Sequence, residues 1–116
     1  MIAGTIFTDP VFTDITIRLG VSVPSAVIKL DNLKLVGFFS LQYRSSGGGS
    51  LKFEYLLSND GVNFYPEDNA APIVSGVINA HGFIFFQPAC SLYMIIVATE
   101  IGGTLPAVAN ATLCIQ

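Results

Sequence analysis

From residue 35 onward the chain alternates with a period of two. Leu35, Gly37, Phe39, Leu41 and Tyr43 share one side of an extended segment, and Val36, Phe38, Ser40, Gln42 and Arg44 share the other. The first set is predicted to face the core. Ser45 to Ser50 reads SSGGGS, a flexible turn, and beyond it Leu51, Phe53, Tyr55 and Leu57 again fall on one side, with Lys52, Glu54 and Ser58 on the other. This pattern predicts a hairpin whose loop, Ser46 to Gly49, is free to change length. For both apolar sets to share one sheet face, Tyr43 must oppose Leu51, Phe53 or Tyr55. Tyr55 is preferred, because it sets Arg44 against Glu54, whereas Phe53 sets Arg44 against Lys52.

The same reading extends along the chain. Ile15, Ile17 and Leu19 alternate with Thr16 and Arg18, and Val27 to Leu30 forms a shorter strand after Pro24. Asn59-Asp60-Gly61 is a turn, followed by a short strand from Val62 to Tyr65 that Pro66 ends. Glu67 to Pro72 is a polar loop, Ile73 to Ile78 a strand broken by Gly76, and Ala111 to Ile115 a closing strand. Helical periodicity is nearly absent. The strand count predicts an all-β, single-domain antiparallel β-sandwich over residues 1–116, jelly-roll-like or immunoglobulin-like, with a small β-barrel as the second choice. The immunoglobulin marker of two Cys around a core Trp is missing, since the chain has no Trp.

Two segments depart from one-sided alternation. Phe83 to Phe86 and Leu92 to Val97 are apolar on both faces, whereas a sandwich strand needs only its inner face apolar. One set of each should fill the core and the other should meet a neighbouring subunit. The predicted oligomer or partner interface is Phe83, Phe85, Tyr93, Ile95 and Val97.

Composition sharpens this picture. Hydrophobic residues make up 52% of the 116 and charged residues only 11%, against roughly 25% in an ordinary soluble domain. With so few charges, much of the surface must be uncharged, and large apolar patches mark interaction sites. Five Lys and Arg against eight Asp and Glu leave a net charge of −3, so a nucleic-acid partner is not expected. The apolar run Leu92 to Ala98 is too short to span a bilayer as a helix, so no membrane insertion is expected. Met1 to Pro10 carries no basic residue and no long apolar run, so no signal peptide is expected and synthesis is assigned to the cytoplasm.

Candidate chemistry is sparse, and no cofactor or enzyme activity is predicted. His81, the lone histidine, lies in Asn79-Ala80-His81-Gly82 with no partnered acid or nucleophile at motif spacing. Cys90 and Cys114 lack the local partners of a zinc or redox motif and read as free, buried thiols, with a disulfide as the alternative. Asn59, Asp60, Asn63, Glu67, Asp68 and Asn69 carry oxygens suited to Ca²⁺, but the same residues are those that turns require. Tyr43, Phe64 and Tyr65 are an aromatic set that a sugar platform uses and a core also uses.

The stretch FFSLQYRSSGGGSLKFEYLLSNDGVNFYP, Phe38 to Pro66, resembles a hairpin of small β-sandwich structural proteins of tailed bacteriophages, in which a Gly-rich turn leads to a strand and then to an SNDGVNF-like turn. Similar Asp-Gly-x-Asn-aromatic turns occur in discoidin-like binding modules. The phage resemblance implies a virion structural protein, a capsid decoration or tail-associated component that associates with itself and with a capsid or tail protein. The alternative is a glycan-binding module, Ca²⁺-assisted, with loops Ser58 to Asn69 and Asn79 to Gly82 as its rim.

Overall fold

The alternating segments form strands, but not with the partners that their turns suggest. The computed structural model describes residues 7–30 and 37–116, so the predicted strand positions Leu35 and Val36 lie outside the described residues. Among the described residues nine strands follow in chain order: β1 (Phe7–Ile17), β2 (Ser22–Pro24), β3 (Ile28–Lys29), β4 (Phe39–Ser46), β5 (Ser50–Ser58), β6 (Val74–Ile78), β7 (His81–Phe86), β8 (Tyr93–Glu100) and β9 (Ala107–Ile115). Among the described residues there is no helix.

The strands form two antiparallel sheets. The first has the order β1-β9-β4-β7, and the second β2-β8-β5-β6, with β3 also on β8. Taking β2 and β3 as two pieces of one edge strand leaves eight strands, ordered 1-8-3-6 and 2-7-4-5. That is the double-sheet arrangement of a jelly roll, with two Greek keys. The sandwich expectation therefore holds, and its jelly-roll form is the one adopted.

The hairpin between β4 and β5 does not form. β4 pairs with β7 and β9, while β5 pairs with β6 and β8. The glycine turn is instead an arch from one sheet to the other. Gly47 and Gly48 take φ of 86° and 93°, which lets the chain reverse between layers. Gly49 is packed against the loop that precedes β9: a Cβ there would lie 2.6 Å from the Leu105 carbonyl oxygen and 2.8 Å from the Ala107 Cβ. The arch is thus built into the end of the sandwich, and its length is not free.

Other boundaries shift for local reasons. β1 begins at Phe7 rather than near Ile15, because β9 offers a ladder that absorbs Pro10 and two register irregularities. Asp14 sits at one of these with φ 50°, and its N–H donates to Asn110 Oδ1 at 3.0 Å. The predicted strand Val62 to Tyr65 reduces to a single bridge between Leu57 and Tyr65.

The core lies between the sheets. β9 contributes Ala107, Ala109, Ala111, Leu113 and Ile115, and β8 contributes Met94, Ile96 and Ala98, all buried. Phe53 of β5 meets Phe12 of β1 and Tyr43 of β4 at ring-centre distances of 6.1 and 5.9 Å. Phe86 meets Phe39 and Tyr55, each at 5.6 Å. Each fully buried large side chain of this kind stabilises the fold by roughly 1.5–3 kcal/mol.

Candidate assembly surfaces

Strand parity decides what each sheet shows to solvent. On β7, Ile84 and Phe86 turn inward, and Phe83 and Phe85 stand outward, 69% and 58% exposed. The register places Phe85 beside Ser40 and Phe83 beside Gln42 on β4. Phe38, 54% exposed, approaches Phe85 with ring centres 6.4 Å apart. These three phenylalanines form an aromatic patch at the β7 margin of the first sheet. Next to it His81, Arg44 and Asn110 make a polar cross-strand row around a shallow hollow.

On β8 the sets separate cleanly. Met94 and Ile96 are buried, while Tyr93, Ile95 and Val97 are half-buried on the outer face of the second sheet. Leu92, grouped by parity with the inward set, is exposed because it precedes the strand. Across the ladder Ile95 pairs with Leu56 and Val97 with Glu54, beside the Lys52–Glu54 ion pair at 3.2 Å. The five predicted interface residues are therefore all partly or largely exposed, but they do not form one surface. Phe83 and Phe85 belong to one sheet, and Tyr93, Ile95 and Val97 to the other, on opposite outer faces. Sequence spacing could not reveal this, because consecutive strands β7 and β8 cross between layers.

The loop chemistry is structural. In Ser58 to Asn63, Asp60 Oδ1 accepts from the Ser58 hydroxyl at 2.8 Å and from the Val62 and Asn63 N–H groups at 2.9 and 2.8 Å; its Oδ2 accepts from Asn63 Nδ2 at 2.9 Å. These bonds, led by the Asn63 N–H, hold the Asp60 carboxyl far below its ordinary range. Glu67 is engaged elsewhere, accepting from the Tyr55 hydroxyl at 3.0 Å and from the Ala89 N–H. Burial, and after it this contact, pushes the Tyr55 hydroxyl up to about 12. No group of three His, Cys, Asp or Glu side chains comes together among the described residues.

The two loops named as a ligand rim lie at opposite ends of the sandwich. Ser58 ends β5, whereas Ile78, at the start of the Asn79–Gly82 turn, pairs with Ser50 at the other end of that strand. Eight residue steps of about 3.3 Å, near 26 Å in all, separate them. The rim does not form. Nor does the aromatic platform, since Tyr43 turns inward onto Phe53 while Tyr65 is exposed beside Leu57. Cys90 is exposed and Cys114 half-buried, and neither is bonded, which corrects the buried-pair reading.

Glu100, which the sequence reading passed over, is the most constrained polar side chain among those described. It points inward at the end of β8, 1% exposed. Its Oε1 accepts from the N–H groups of Gly103 (2.9 Å) and Gly20 (3.3 Å), and its Oε2 from those of Gly102 (2.6 Å) and Ser50 (3.1 Å). One carboxylate thus ties the β1–β2 turn, the start of β5 and the β8–β9 loop. The Gly103 contact first, then those of Gly102, Ser50 and Gly20, outweigh burial and hold its pKa below the ordinary value. The sequence signal was a lone acid ending an apolar strand, separated by one residue from Gly102-Gly103.

No protein-family model and no curated protein sequence matches this chain. Solved structures do. A chain of the infectious bursal disease virus Gx strain structure aligns with 96% of this chain at 14% identity and a TM-score of 0.51; this chain spans only 31% of it. PirA aligns with all of this chain, over 97% of its own, at 12% identity and a TM-score of 0.56. The SPBc2 prophage-derived protein YomS does so over 97% of its own length at 7% identity and a TM-score of 0.54. At such identities the shared property is the fold, a jelly roll used whole in small proteins and as one part of a viral chain.

Proposed function

We propose that this chain is a non-enzymatic structural subunit of a virion, a bacteriophage capsid-decoration or tail-associated protein. It associates with copies of itself and with a larger capsid or tail protein, and it is made in the host cytoplasm. The observation that carries this reading is that both outer faces of the sandwich carry apolar clusters: Phe38, Phe83 and Phe85 at the β7 margin of one, and Leu56, Tyr93, Ile95 and Val97 along the central strands of the other. A free-standing sandwich keeps its outer faces polar, and large exposed apolar patches mark contact surfaces. Two such faces on opposite sides suit a subunit with neighbours on both. The fold shared with a viral particle and a prophage-derived protein supports the same reading.

The test is electron microscopy and light scattering of the purified protein, alone and mixed with candidate phage particles. Rings, lattices or decorated shells are expected. A protein that stays strictly monomeric at high concentration and binds no particle overturns the proposal.

A further inference from the structure

Each sheet has two edges, and they are not alike. The β1 edge carries Pro10, two register irregularities and Asp14 at positive φ. The opposite sheet ends in β2 and β3, short pieces with Pro24 at the break, and in β6, whose register shifts around Gly76 at φ 77°. Bulges, prolines and short lengths are the devices by which proteins stop edge strands from pairing. β7 has none of them. It runs six residues, HGFIFF, with unbroken register on β4, no proline and no Asp, Glu, Lys or Arg, and no described strand pairs with its outer side.

We infer that β7 pairs antiparallel with β7 of a second copy, about a two-fold axis at Ile84, joining two four-stranded sheets into one of eight. This deepens, and rests on, the assembly reading above. The sequence of β7 fits itself. Directly opposed residues of an antiparallel pair share a face, so the register about an axis normal to the sheet must oppose residues of equal parity. Centring on Ile84 sets Phe83 against Phe85 of the partner subunit, and Phe85 against Phe83 of the partner subunit. Both pairs lie on the outer face, with Phe38 adjoining each Phe85. No like charges meet, because the strand carries none. At ~200 Å² per side chain, the exposed parts of Phe38, Phe83 and Phe85 amount to roughly 350 Å². That is close to half of the ~800 Å² per partner of a standard interface, and the six-residue ladder with its flanking side chains supplies the rest.

The experiment uses the full chain with Cys90→Ser and Cys114→Ser, and measures mass by light scattering after size exclusion. The parent is expected to contain a two-subunit unit. Phe83→Lys combined with Phe85→Lys, both on the exposed face, should keep the β spectrum and the melt but weaken that unit at least tenfold. Separately, Phe83→Cys, on the outer face and diagonal to the same residue of the second copy across the two-fold axis, should join two subunits through a short bis-maleimide, and backbone amides of β7 should be protected from hydrogen exchange in the unit. Association that survives the double Lys variant, or a Phe83→Cys chain that associates without crosslinking, overturns the β7 pairing while leaving the assembly reading standing. A parent that is monomeric alone but gains β7 protection on a particle shows a foreign strand on this edge and overturns the second copy as its occupant. A parent that neither self-associates nor binds a particle removes both readings.

Discussion

The rings of Tyr43 and Phe53 lie 5.9 Å apart and tilted by 40°, yet the two residues belong to strands of different sheets. Two alternating strands joined by a short glycine turn bring their apolar sides together in either of two ways. They can lie side by side as a hairpin, or face to face across a core. Here the second occurs, and Phe53 is fully buried where Phe12 and Tyr43 converge.

Phe53→Ala should therefore lower stability by roughly 3–5 kcal/mol, the cost of emptying a core site of this size. Phe83→Ala, on the exposed face, should change the stability of the isolated subunit by no more than about 0.5 kcal/mol. Urea titrations followed by circular dichroism measure both, and equal midpoints would refute the assigned faces.

Gly82 lies directly opposite Tyr43 on the neighbouring strand, and the phenol ring occupies the space that a Cβ at Gly82 needs. Gly82→Ala should displace the ring and cost about 1–3 kcal/mol, as overpacking does. The same change made on a Tyr43→Ala background should cost much less. A double-mutant cycle in urea isolates the coupling, and simple additivity would show that the ring does not lie over the glycine.

Much of this was legible in the sequence, and the part that was not has one physical cause. Period two fixes which side of a strand faces the core, so Leu41, Phe53, Ile96 and Leu113 are inward as alternation or core demand requires. It does not fix which strands are neighbours. The partners of β4 are β7 and β9, far along the chain, and no local signal in SSGGGS distinguishes an arch from a hairpin. The same blindness merged Phe83, Phe85, Tyr93, Ile95 and Val97 into a single surface, and joined two loops from opposite ends into one rim. Glu100 was missed because its role depends on three separate segments, the β1–β2 turn, the start of β5 and the β8–β9 loop, that only the fold assembles.

Acid should weaken the fold through Glu100. Its folded pKa lies below the ordinary value of 4.5, so the unfolded chain binds more protons in the window between them. Its contribution is complete above that ordinary value and is lost as pH falls through the folded one. Glu100→Gln should melt below the parent at pH 7, because an amide NH₂ then faces backbone N–H donors, and the gap should narrow as pH drops. Asp60, also lowered, keeps some acid sensitivity in the variant. Thermal melts from pH 7 down to pH 2 test this, and parallel curves for parent and variant would exclude Glu100 as the titrating staple.

Neighbouring positions on β8 should give opposite outcomes. Ile96 is fully buried between the sheets, and Ile96→Lys places an unpaired ammonium there, a cost that unfolds a marginally stable domain. Ile95 is on the outer face beside Leu56, so Ile95→Lys should fold and melt close to the parent. If the second sheet's apolar row is an assembly contact distinct from the β7 edge, Ile95→Lys should also stop growth at the two-subunit unit rather than abolish it. The lysine breaks one face and leaves Phe83 and Phe85 on the other untouched. Light scattering paired with thermal melts separates these outcomes. An Ile95→Lys chain that unfolds would mean the row is internal, and one that still forms the parent's larger assemblies would mean that face is not a contact.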